Sequence, residues 1–90
     1  MESKVHLYQL DFTPDASKSE RKEMCNLLAA TGASVERAYS TQRSGVLGLE
    51  YSYNFAFAKI ITMNDSEDVS VHKSIKNNPV FSKSTLTQIL

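Results

Sequence analysis

Two histidines and four tyrosines are the groups in this 90-residue chain best suited to chemistry near neutral pH. An imidazole, with an unperturbed pKa of about 6.5, can serve as a general base, and a neighbouring phenol can hold an enolate or phenolate oxygen. His6 and Tyr8 stand two residues apart, so on a strand they share a face. His72 lies in a stretch of helical period whose inner face would carry Val69, His72, Ile75 and Lys76. In that phase His6 and His72 face one cavity, and Tyr51, Tyr53, Phe55 and Phe57 form its walls. An aromatic-walled pocket with two imidazoles suits a flat, hydrophobic, oxygenated ligand. The alternative for the same residues is a pair of packed or boundary histidines with ordinary hydrogen bonds.

Other chemistries lack their parts. There is no Gly-rich phosphate-binding motif, and no nucleophile stands beside a base. Cys25 is the only cysteine, which excludes an internal disulfide or a thiolate metal cluster and reads as a small buried apolar group. Nothing supplies a third ligand for a histidine metal site, so neither a metal nor another cofactor is expected. If the chain is an enzyme, proton transfer on an activated carbonyl compound is what remains, a cyclase or isomerase reaction with His6 as the expected base. The formal net charge is zero and no Lys or Arg cluster forms a phosphate-tracking stripe, which argues against a nucleic-acid partner. No apolar run approaches the roughly 20 residues that span a bilayer, and the N-terminus lacks a basic-then-apolar signal region. A cytoplasmic protein of one domain, residues 1–90, is the expectation.

The elements that must position these residues can be read from their patterns. Lys4 to Phe12 alternates His6, Tyr8, Leu10 and Phe12 against Val5, Leu7, Gln9 and Asp11, a first strand closed by Pro14. Ser17-Lys-Ser-Glu20 has capping-box spacing, and the helix that starts there carries Met24, Leu27, Leu28 and Thr31 inward until Gly32 stops it. Ala33 to Gln42 predicts a second, more polar strand. Arg43 to Glu50 then forms a connection longer than a tight hairpin needs. Its Val46, Leu47 and Leu49 fit a lid, a subunit contact, or a hairpin folded on its own sheet.

Tyr51 to Met63 is the longest apolar and aromatic run and reads as the central strand. Tyr51, Tyr53, Phe55, Phe57 and Ile61 fall on one face, and the smaller Asn54, Ala56 and Ala58 fall with Ile60 on the other. Asn64 and the acidic residues after it cap a second helix, which Asn77-Asn78-Pro79 ends, and Phe81 plugs the core just beyond. Ser84 to Leu90 predicts a short fourth strand.

Strand, helix, strand, strand, helix, strand is the ferredoxin-like βαββαβ order, an α+β fold in which a four-stranded antiparallel sheet carries both helices on one face. The other face then needs a partner. The small side chains at Asn54, Ala56 and Ala58 fit a second sheet packed closely against them, and a homodimer is the expected assembly.

An early strand with His6, an irregular hairpin, an aromatic strand entered through Tyr51 and Tyr53, and an acidic-capped helix ending in Asn78-Pro79 together resemble the dimeric α+β barrel proteins. Within these the chain is most similar to the stress-responsive A/B barrel domain, a group that includes a polyketide cyclase. Val71-His72 through Pro79-Val80-Phe81 also resembles the end of muconolactone isomerases. The resemblance implies a dimeric barrel acting without a cofactor, as lyase or isomerase, on a polyketide- or phenol-like compound. It puts His6 in the pocket, the aromatic-strand position at or near Phe57, the helix tyrosine at Ile75, and the residues flanking the proline at Asn78 and Phe81. The cyclase acid/base pair is absent from these positions, which leaves His6 together with His72, one turn before the expected place.

A second class of function uses the same fold. Val5 to Ser17, Gly32-Ala-Ser-Val35 with Tyr39, Tyr53 to Ile60 and Asn78-Pro-Val80 look like the propeptide and inhibitor domains of subtilisin-type proteases. That resemblance implies a C-terminal tail offered to a protease, with Leu90 as the residue presented.

Overall fold

The computed structural model describes residues 4–44 and 50–90, with side chains described for 4–38 and 56–90. The order is β1 (His6–Phe12), α1 (Lys18–Ala29), β2 (Ser34–Ser44), β3 (Glu50–Thr62), α2 (Asp65–Asn77), a 3-10 turn (Pro79–Lys83) and β4 (Ser84–Gln88). The strands form one antiparallel sheet in the order β2-β3-β1-β4. This is the α+β ferredoxin-like arrangement expected from the sequence. The segment 45–49, most of the expected lid or subunit contact, lies outside the described residues.

Local signals start and stop the helices where they were read. Ser17 caps α1 with both halves of a capping box: its hydroxyl accepts from the Glu20 amide at 3.1 Å, and the Glu20 carboxylate accepts from the Ser17 amide at 2.9 Å. Past the end of α1, Gly32 adopts φ +97°, a left-handed conformation in which any side chain is strained. Asn64 caps α2 by accepting from the Glu67 amide at 2.9 Å. No described helix is long and apolar enough to cross a membrane.

The core lies between one face of the sheet and the helices. Tyr8 and Leu10 from β1, Ala58 and Ile60 from β3, Met24, Cys25 and Leu28 from α1, Val71 from α2 and Phe81 from the 3-10 turn are buried in one cluster. Burial pushes the Cys25 thiol above its ordinary range against the opposing charge of Arg37, so it is an inert core group.

Two sequence expectations are overturned here. Ala58 and Ile60 were assigned to the helix-free face, yet they are fully buried under the helices. Ile60 stands opposite Tyr8, and Ala58 opposite Leu10, so they share the covered face of β1. Phe57 and Ile61 stand opposite Asp11 and Leu7 and occupy the other side. A period of two divides a strand into faces without saying which face is covered. In α2 the inner residue is Val71, fully buried, while Val69 is 63% exposed. The inward stripe runs through Asp68, Val71 and Ile75, so Val69, His72 and Lys76 turn outward.

The long β3 also has two regimes. Its pairing with β1 runs only from Phe57 to Thr62, whereas its pairing with β2 continues to Ser44 opposite Glu50. A register shift at Ala38/Tyr39 leaves Ala56 as an extra residue, since Ala38 pairs with Phe57 and Tyr39 with Phe55. Tyr51, Tyr53 and Phe55 therefore belong to a two-stranded extension beyond β1, and one alternation cannot be carried from Phe57 back to Tyr51.

Candidate functional site

At the end of the sheet where β1 begins, Tyr8 sits between two imidazoles. Its ring centroid is 6.2 Å from that of His6 and 5.3 Å from that of His72, edge-on to the latter. β1 supplies His6 and Tyr8 on its covered face by simple alternation. α2 supplies His72 and, one turn earlier, Asp68.

Asp68 organises the polar atoms. Its Oδ1 accepts from the Tyr8 hydroxyl at 2.5 Å and from the Thr62 hydroxyl at 3.2 Å. His72 Nε2 lies 3.2 Å from the Tyr8 oxygen and 3.8 Å from Asp68 Oδ2. Burial first, and then the hydrogen bond and negative charge of Asp68, raise the Tyr8 pKa to about 12, so the phenol stays neutral over the physiological range. On the other side, Gln88 of β4 stands opposite Tyr8, and its amide nitrogen lies 3.2 Å from His6 Nδ1. Thr62 is the fully buried polar residue among those described, and Asp68 satisfies it.

This end of the domain is also where apolar surface meets water. Val5, Met63, Val69, Ile89 and Leu90, from 49% to 75% exposed, are the large hydrophobics most open to solvent among the described residues. Val5 precedes His6, and Met63 follows Thr62, the partner of His6 across the sheet. Ile89 and Leu90 are held against Leu7 through backbone hydrogen bonds of 2.7–3.2 Å. Val69 is next to Asp68 on α2. The apolar rim and the imidazoles thus share one end.

The expected site is therefore assembled in part. His6, Tyr8 and His72 come together, although His72 reaches Tyr8 from the outward side of α2 with its side chain 53% exposed. Phe57, an expected wall, is on the opposite face of the sheet. Tyr51, Tyr53 and Phe55 belong to the extension, and their side chains lie outside the described residues. Ile75 packs half-buried against the core, and Phe81 is one of its members.

Asp68, Thr62 and Gln88 were not among the candidates. Asp68 is four residues before His72, a spacing that puts both on one side of a helix, and that signal was available. No sequence signal marks Thr62 or Gln88, whose partners lie across the sheet or on another element. Among the described residues no group of three His, Cys, Asp or Glu could hold a metal ion. The chain matches no protein-family model and no curated protein.

Proposed function

We propose that the protein binds a hydrophobic, oxygenated small molecule, polyketide- or phenol-like, and moves a proton on it without a cofactor. The observation that carries this reading is the His6–Tyr8–His72 row, at the end of the sheet where Val69 and Leu90 expose apolar surface. Imidazoles supply a base near neutral pH, the neutral phenol orients His72, and exposed apolar side chains at this end receive the body of the ligand. This reading follows the resemblance to the cyclases and isomerases of the dimeric α+β barrel group.

The test is hydrogen–deuterium exchange at the activated carbon of an aryl 1,3-diketone in heavy water. The protein should accelerate exchange, and loss of the general base should lower the rate by about 10²–10⁴-fold. His6→Ala and His72→Ala are the variants to compare. Exchange no faster than in buffer would remove the enzyme reading.

A homodimer through the helix-free face belongs to the same proposal. Both helices cover one side, and the other presents half-buried Leu7, Phe57 and Ile61 beside Lys59 and Glu36. Phe57→Arg places an unpaired charge in that face. Light scattering should detect a dimer for the wild type and a monomer for Phe57→Arg; a monomeric wild type would end the dimer proposal.

One observation favours the protease-inhibitor reading, the outward side chains of Ile89 and Leu90. Inhibition of subtilisin by the wild type, lost when these two residues are removed, would select it.

A further inference from the structure

The hydrogen-bond chains on either side of Tyr8 have directions, and the directions differ. At neutral pH the Asp68 carboxylate accepts only. The Tyr8 hydroxyl has one hydrogen, and it goes to Asp68 Oδ1. Towards His72 the Tyr8 oxygen can then only accept, so His72 Nε2 must carry a hydrogen across the 3.2 Å contact. In a neutral imidazole the lone pair then sits on Nδ1. Nδ1 of His72 has no hydrogen-bond partner among the described residues, and the side chain is 53% exposed.

The other chain starts from Gln88. Its side-chain Nε2 lies 3.3 Å from the Leu90 carbonyl oxygen, which only accepts, so the atom there is the amide NH2. The same NH2 is 3.2 Å from His6 Nδ1. Its second hydrogen is donated to that ring nitrogen, which must hold a lone pair. His6 therefore carries its hydrogen on Nε2, where the ring forms no hydrogen bond among the described residues.

We infer that the two histidines hold the same tautomer in opposite roles: His72 offers a free Nδ1 lone pair as the base, and His6 offers an Nε2–H as a hydrogen-bond donor. This rests on the proton-transfer reading and gives each ring its part. His72 Nδ1 takes one proton from an activated carbon or hydroxyl of the ligand, and the bonding pair left behind becomes negative charge on the ligand oxygen. His6, on the other side of Tyr8, offers its Nε2–H to a polar group of the ligand there and keeps its own proton. The imidazolium formed at His72 has the Asp68 carboxylate at 3.8 Å as its counter-charge, and returning the proton to the ligand restores both rings. Asp68, Tyr8 and Gln88 are positioning residues that act through the rings.

Long-range ¹H–¹⁵N NMR of the full chain without ligand, above the pH at which imidazoles protonate, tests this directly. Both rings should report the Nε2–H tautomer. The Nε2 hydrogen of His72, engaged by Tyr8, should exchange with water at least about tenfold more slowly than that of His6. Tyr8→Phe should abolish the difference by releasing His72 and leave the His6 signals in place. Gln88→Glu should invert His6, because a carboxylate there accepts from Nδ1 and draws the hydrogen to it. An Nδ1–H tautomer at either wild-type ring, equal exchange at the two rings, or a Tyr8→Phe variant with unchanged His72 would overturn the inference. If Tyr8→Phe does not fold, the wild-type spectra and Gln88→Glu still decide. The readout needs no ligand, so correct tautomers with no diketone exchange would sink the enzyme reading alone.

Discussion

Two polar clusters stand at opposite ends of β1 and are built on different terms. At the His6 end, an acceptor on α2 takes hydrogens from a 3%-exposed tyrosine and a fully buried threonine. At the Phe12 end, the groups are charged and open to water. Lys83 meets Glu20 at 2.8 Å, Glu20 closes the capping box of α1, and Thr13 donates to Asp15. The Lys83 and Ser17 hydrogen bonds hold the Glu20 pKa down to about 2.

The second cluster ties the start of α1 to the residue before β4 and contains no group that exchanges a proton near neutrality. In the first, desolvation makes each hydrogen bond directional and costly to lose, which is what can hold an imidazole in one protonation pattern. The two ends differ in shielding more than in charge: the cluster with fewer charges is the one whose acceptor serves buried hydroxyls.

The largest expected effect comes from breaking the shielded cluster at its acceptor. Asp68→Ala removes two hydrogen bonds to a charged group, worth about 1.5–3 kcal/mol each, and strands the Thr62 hydroxyl. Urea unfolding should register a loss of about 3 kcal/mol or more, and a loss below 1 kcal/mol would mean that water replaces Asp68 freely.

Alkaline titration sharpens the same contrast. Tyr8 is raised to about 12 in the fold from an ordinary 10.0, so the folded state holds its proton after the unfolded chain has released it. The contribution is full below about pH 10 and is lost as pH rises towards about 12, amounting to about 2–3 kcal/mol at 1.36 kcal/mol per unit. Unfolding midpoints across that window should fall in the wild type and fall less in Tyr8→Phe.

At the solvated end, Ser17→Ala removes one half of the capping box and should cost about 0.5–2 kcal/mol, measured by thermal unfolding. The smallest effect is that of the Lys83–Glu20 pair. Glu20 is depressed in the fold, so its contribution is present above the ordinary carboxylate range and is lost as pH falls towards about 2. Lys83→Met should flatten that acid limb and change stability little at pH 7, as an exposed pair does. A large neutral-pH loss would contradict the division between the two ends.

Much of the fold was legible because its signals are local. The alternation that puts Tyr8 and Leu10 on one face, the Ser17–Glu20 capping box, the turn at Gly32 and the Asn64 cap each depend on residues within a few positions of one another. The pairing of His6 with Tyr8 was legible for the same reason. The phase of α2 was not. Val69 and Val71 are equally apolar, and two residues apart on a helix they point about 200° away from each other, so only one can face the core. Turning Val71 inward also brings Asp68 under Tyr8 and Thr62, whose buried hydroxyls need an acceptor.

By itself, then, the sequence determined which residues form strands and helices, where the helices are capped, and that His6 shares a strand face with Tyr8. Only the tertiary structure decided which face of β3 is covered, that Phe57 turns away from the site, and that Asp68, 60 positions from Tyr8, orders the hydrogens around it. The physical reason is range. Backbone conformation answers to neighbours in the chain, whereas the covered face of a strand and the partner of a buried hydroxyl are set by whatever packs across the core.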